Sequence, residues 1–317
     1  MGTRGKLVEI DDLTKRFGPI TAVDGISLAV ERGELLGFLG PNGAGKSTTM
    51  KIVTGYLPPS AGRVTVCGFD VVEQPIEVKR RIGYLPEGAP AYGDMTPLGL
   101  LAFVADIRGL GGGVRRERLD EVIERLALGT VLRQPIETLS KGFKRRVGLA
   151  QAILMDPDVL ILDEPTDGLD PNQKHEVRAL LRDMAPGKAI VVSTHILEEV
   201  EAVCTRAVII ANGRIVADET PQALKARSAL HNAVGLTLAA EAVARARALI
   251  EALPGIAGVE TLNRVDGVAE LRVLSAGGAD ILAPVREAVT GAGLAPGEIY
   301  VERGELDDVF RALTQRA

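Results

Sequence analysis

The chain has 317 residues, with 37 Lys and Arg against 42 Asp and Glu, a formal net charge of −5. That balance lacks the basic face that general nucleic-acid binding needs, and 3% aromatics without tryptophan leave little to stack on bases. The 46% hydrophobic content is ordinary for a globular protein, and no run nears the roughly 18 apolar residues of a membrane-spanning helix.

Alternating apolar residues predict strands over 7–13 and 26–30, and 34–39 reads as a buried strand followed by a helix over 47–54. Between the last two, Gly40-Pro41-Asn42-Gly43-Ala44-Gly45-Lys46-Ser47 fits G-x-x-x-x-G-K-[ST], a loop that wraps the phosphates of a nucleotide. Gly40, Gly43 and Gly45 let the backbone turn sharply and approach phosphates that a Cβ would keep away. The freed N–H groups, on through Thr48, point inward at the positive end of the following helix. Lys46 reaches the β- and γ-phosphates, and the Ser47 hydroxyl is suited to Mg²⁺.

Short strands are predicted at 63–66 and 82–85, and the pattern then turns helical from 96 to 155. Gly111-Gly112-Gly113 reads as a loop there, followed by a solvated helix start carrying Arg115, Arg116 and Arg118. Residues 159–162 form an apolar strand ending in Asp163-Glu164, and 189–193 form another ending in Thr194-His195. Each is followed by a helix, at 173–184 and 196–203, which predicts an α/β fold with a mostly parallel sheet. Asn212-Gly213 between 207–210 and 214–217 is a hairpin signal. Residues 230–317 then read strand, helix, strand, strand, helix, strand, the order of a split βαββαβ ferredoxin-like unit, with a closing helix at 306–313. The expected division is therefore 5–229 and 230–317. The two cysteines, Cys67 and Cys204, lie outside any metal-ligand spacing and are expected to be reduced. The N-terminus shows no apolar stretch of a secretory signal.

Two adjacent carboxylates at the end of a buried strand stand at the carboxyl edge of the sheet, where open α/β sheets bind ligands. Asp163 is placed to hold Mg²⁺, through water, and Glu164 to orient or deprotonate an attacking water. His195 ends a strand of the same sheet, so it is a candidate contact for the γ-phosphate and for Glu164.

These residues, over about 7–224, resemble the nucleotide-binding subunit of ATP-binding cassette (ABC) transporters, a P-loop NTPase cassette with antiparallel and helical subdomains. Leu139-Ser140-Lys141-Gly142-Phe143 stands where that family has its LSGGQ signature, Gly168-Leu169-Asp170 matches its D-loop, and Ser193-Thr194-His195 its switch histidine. The resemblance implies ATP and Mg²⁺ as ligands, with Phe17 stacked on adenine and Glu87, where the family usually has glutamine, near the metal. It also implies a head-to-tail dimer with a second copy, in which Ser140 and Gly142 cover the γ-phosphate held by Lys46 of the other chain. Lys141 replaces a signature glycine, which would add charge near the triphosphate. The motifs around Glu87, Lys141 and Asp170 are similar to those of ABC-2-type exporter and gliding-motility ATPases, which serve a separate integral membrane permease. A peripheral place at the cytoplasmic face of the cell membrane is expected, with residues 89–101 lining the groove for the permease. A soluble ABC-type ATPase acting on nucleic acid or the ribosome is the alternative, and the acidic balance and single phosphate loop speak against it.

Overall fold

The segments Leu35–Leu39, Val159–Asp163 and Ala189–Thr194 are buried at every position. Strands apolar on both sides belong inside a parallel sheet with both faces covered. That is their place in this computed structural model, which describes residues 5–315. The sheet has six strands, in the order Arg214–Glu219, Arg206–Ala211, Leu35–Leu39, Ala189–Thr194, Val159–Asp163, Ile82–Leu85. All neighbours are parallel except the edge hairpin, which turns at the expected Asn212-Gly213, with positive φ at both residues. Parallel pairing brings the strand ends at Leu39, Leu85, Asp163 and Thr194 to one edge of the sheet.

A four-stranded antiparallel sheet, ordered Ile20–Glu31, Lys6–Phe17, Ala61–Val66, Phe69–Asp70, packs on this core. Its Leu13, Val23 and Ile26 share one apolar cluster with Phe38, Ile161 and Val191 of the parallel sheet. Met50, Ile52 and Val53 of the helix Lys46–Val53 complete that cluster. Arg206 stitches the two sheets together, bonding Asp218, Glu34 and the Ala29 carbonyl at once.

Helices Pro97–Ile107, Gly112–Arg125 and Lys141–Ile153 fill the stretch read as helical. Two local expectations change. The glycine run opens the helix Gly112–Arg125 instead of staying a loop, since first-turn N–H groups need no intrahelical partner. Arg118 is not solvated: its guanidinium donates to Ile153 O at 2.7 Å and Leu154 O at 2.9 Å, satisfying carbonyls at the end of Lys141–Ile153. The helix Pro75–Arg81 has no counterpart in the sequence reading, because seven residues are too few to show a stripe.

The chain divides into two compact units, the second beginning at Thr220. This is ahead of the expected 229/230 junction because the short helix Pro221–Lys225 packs on the last helix, Leu306–Gln315. Gly304 fits closely there: a Cβ on it would lie 2.6 Å from Lys225 O. The second unit has an antiparallel sheet ordered Ile256–Val265, Val268–Ser275, Val234–Ala239, Ile299–Val301, the order of a ferredoxin-like split unit. Leu236, Leu271 and Val273 form its apolar core with Ala246 and Ile250 of the helix Val243–Glu251 and with Val285 and Val289 of the helix Leu282–Gly291. Elsewhere on that sheet Arg272 bonds Glu302 at 2.7 Å, and the Tyr300 ring lies over Gly235, where a Cβ would come within 2.3 Å of it. No helix among the described residues is long and apolar enough to cross a membrane.

Candidate nucleotide site

The phosphate loop is glycine-rich for two separable reasons. A Cβ on Gly40 would sit 2.4 Å from Ile210 O, and one on Gly45 would sit 2.4 Å from Ala22 O. At Gly45 the conformation forbids a side chain as well, with φ at 108° just before Lys46–Val53 begins. Gly43 has open space around it but a φ of 82°. The loop is tied down from outside by Gly213 N donating to Ala44 O at 3.0 Å. Pro41, Asn42 and Gly43 stay exposed, while Ser47 and Thr48 are half-buried on the first helical turn.

Lys46 is buried, and its ammonium donates to Gly40 O at 2.6 Å and Pro41 O at 3.1 Å, closing the loop into a ring. Burial lowers the pKa of this lysine from its ordinary value, and Glu164, Asp163 and Glu87 push it back up. Three acids from two segments, the adjacent Asp163 and Glu164 and the distant Glu87, therefore act on one cation.

Asp163 ends its strand only 2% exposed. Glu164, directly after it, has a φ of 51°, a left-handed conformation that is costly for a residue with a side chain. Its amide donates to Ser193 O at 2.9 Å, and its carboxylate accepts from the Thr194 hydroxyl at 3.2 Å. The other carboxylate oxygen lies 2.8 Å from His195 Nδ1. The fold thus joins Glu164 and His195, which are separated in sequence by the helix Pro171–Met184 and the strand Ala189–Thr194. Thr194 is a partner that the sequence reading did not assign, although it sits at the same strand end.

In front of this edge opens a cleft of about 1110 Å³, with Ser47, Tyr84, Glu87 and Asp163 on its wall, and Tyr92 and Phe103 farther along. Ser47, Glu87 and Asp163 are hard oxygen donors of the kind Mg²⁺ takes alongside phosphate and water. With the glycine cradle beside them, these residues fit a magnesium-bound nucleotide.

Ser140 and Gly142 lie elsewhere on the first unit. Ser140 caps Lys141–Ile153, its hydroxyl accepting from Phe143 N at 3.3 Å, and a Cβ on Gly142 would meet Gln173 Oε1 at 2.8 Å. Neither forms a hydrogen bond to the phosphate loop among the described residues. Lys141 turns to its own chain, its ammonium 2.9 Å from Asp167 and its stem lying over Gly168. The buried Arg145 reaches the same carboxylate at 3.4 Å. Phe17 stands outside the cleft, half-exposed, with the Lys15 ammonium 5.1 Å from its ring centroid.

The hydrogen bond from Lys141, then its charge and that of Arg145, hold the Asp167 carboxyl below the ordinary range against a burial effect. A carboxyl lowered by folding adds stability above its unfolded pKa and loses it as pH falls through the folded one. Both side chains are well exposed, so Lys141→Met is expected to cost under about 1 kcal/mol at neutral pH. That difference should start to shrink below about pH 4, the ordinary carboxyl value, and disappear as pH falls through the lowered pKa of folded Asp167, as urea melts of both proteins across this range would read.

Residues 23–167 match the family described as "ABC transporter". The chain is 34% identical over 311 residues to "Daunorubicin resistance ATP-binding protein DrrA3" of Streptomyces coeruleorubidus, covering 97% of this chain and 95% of that protein. It is 38% identical over 230 residues to "Probable multidrug ABC transporter ATP-binding protein YbhF" of Escherichia coli (strain K12), covering 72% of this chain but 40% of YbhF. A solved structure described as "Structure of ATP binding subunit of ABC transporter" superposes with a TM-score of 0.65 at 32% identity, covering 69% of this chain and 92% of that one.

Proposed function

The chain belongs to the ABC transporter family, and from that premise we propose that it is the ATP-binding and ATP-hydrolysing subunit of an ABC-2-type exporter. The observation that carries this is the junction of Glu164 with His195, at 2.8 Å, on the sheet edge that also presents Lys46 and Asp163. A phosphate-binding loop alone would serve storage or signalling equally well. A half-buried carboxylate oriented by a hydroxyl and an imidazole is a device for activating water.

ATP lies with its phosphates in the cradle of residues 40–48, where the backbone N–H groups and Lys46 take up the charge. Ser47, with Asp163 and Glu87 acting through water, would hold Mg²⁺, which would supply positive charge against the β- and γ-phosphates. Glu164 orients the attacking water and accepts its proton. His195, steadied by Glu164, contacts the γ-phosphate, and the Phe17 ring packs on the adenine.

Ser140 and Gly142 complete the site of a second copy in a head-to-tail dimer. A capped helix start with a small residue behind it suits a phosphate approaching from outside. ATP then acts as a ligand of the closed pair and favours it by mass action. The work is delivered to a separate permease seated on the cleft beyond Glu87, where exposed Tyr92 packs edge-on against Phe103. The subunit accordingly sits peripherally at the cytoplasmic face of the membrane. An export role is in keeping with the names of the relatives, which speak of drug resistance and multidrug transport. The acidic charge weighs against a nucleic-acid or ribosomal target.

The test is in two parts. Purified chain with Mg-ATP should hydrolyse it, and affinity purification from membranes should bring down an integral membrane protein. Absence of hydrolysis defeats the enzymatic half, and absence of any membrane companion defeats the transport half.

A further inference from the structure

Asp163 stands between two hydroxyl groups that have no hydrogen-bond partner, Tyr84 Oη and Ser193 Oγ. Ser193 is in register with Asp163 on the neighbouring strand on one side. Tyr84, on the other side, is in register with Ile161, two residues before Asp163. Residues two apart in a strand share a face, so all three project from the same side of the sheet. It is the side packed under Lys46–Val53, since Ile161 and Val191 cluster there with Met50 and Val53. Ser193 has no exposed surface, and Tyr84 lines the cleft together with Ser47, Glu87 and Asp163.

A buried hydroxyl without a partner lowers stability, and native proteins keep few of them. Two flanking the same carboxylate have no role in holding the fold, since neither bonds anything within it. The Tyr84 phenol is a donor at neutral pH: burial, then the nearby Asp163, Tyr56 and Glu87, push its pKa up to about 12. Asp163 is the residue whose oxygens must be aimed if it is to hold a hydrated cation, and groups that aim a ligand govern metal affinity nearly as much as the ligand does.

We infer that Tyr84 and Ser193 are positioning residues for the metal–nucleotide site, their hydroxyls donating to the waters that Asp163 would hold around the cation. The inference rests on the ATPase reading above and extends it to two residues outside the phosphate loop and the catalytic pair. Both act through Asp163 and touch no reacting atom.

Tyr84→Phe and Ser193→Ala each remove a single oxygen from the full chain, and three measurements separate the possibilities. The melting temperature without ligand should stay level or rise, because an unpartnered hydroxyl is lost. Affinity for a fluorescent ATP analogue in EDTA should equal that of the parent. The Mg²⁺ concentration giving half of the ATP-dependent thermal protection should rise about tenfold in each variant. A magnesium dependence unchanged in both variants would overturn the inference, as would a melting temperature that falls with it, which is the mark of a purely structural role. A parent chain that binds no nucleotide overturns the ATPase reading and this inference with it, whereas a parent that binds while the variants match it overturns this inference alone.

Discussion

Glu164→Gln should slow ATP turnover about 10²–10⁴-fold while nucleotide stays bound, the usual worth of a positioned general base. The amide is nearly isosteric and its carbonyl can still accept from Thr194, 3.2 Å away, so the local fold should hold. What disappears is the capacity to take a proton, together with the charge that orients His195 at 2.8 Å. Binding should survive, because the phosphate cradle and Lys46 are untouched and one negative charge beside the triphosphate is gone. With hydrolysis blocked, the ATP-bound form accumulates, and the variant should run as a dimer in gel filtration with Mg-ATP. A variant turning over like the parent would remove Glu164 from the mechanism. One that stayed monomeric with nucleotide bound would remove the head-to-tail pair.

Lys46→Ala is expected to weaken ATP affinity at least about tenfold to a hundredfold, since a charged hydrogen bond contributes about 1.5–3 kcal/mol. The loss should be larger than for an exposed lysine. Lys46 is buried and faces Glu164, Asp163 and Glu87, so its removal leaves three acids confronting the phosphates without a counter-charge. Lys46→Arg should rescue little, because a planar guanidinium cannot take the place of an ammonium held between Gly40 O and Pro41 O. Titration with a fluorescent ATP analogue in EDTA isolates this contribution from metal binding. An affinity like the parent's in Lys46→Ala would show that the loop's N–H groups suffice by themselves.

The legible parts of the fold were those written in consecutive residues. Two buried strands, each ending in a polar pair, announced the parallel sheet, and Asn212-Gly213 announced its edge hairpin. Residues from 233 to 302 gave the βαββαβ order that the second sheet follows. Where a feature depended on a distant partner, the pattern misled. Arg118 looked like one more solvated charge because the carbonyls it caps, at Ile153 and Leu154, belong to another helix. The helix Pro221–Lys225 likewise carried no sign of its packing on Leu306–Gln315.

The sequence by itself determined the phosphate loop and the set of acids and histidine that could serve it. Glycine conformation, strand period and hairpin turns are local properties, fixed by the few residues that carry them. Only the tertiary structure decided who meets whom: Glu164 with Thr194 and His195, Lys141 with Asp167, and the hydroxyls of Tyr84 and Ser193 on either side of Asp163. Those meetings depend on the order and register of parallel strands. Register is set by packing between segments far apart in the chain, and no short stretch of residues contains it.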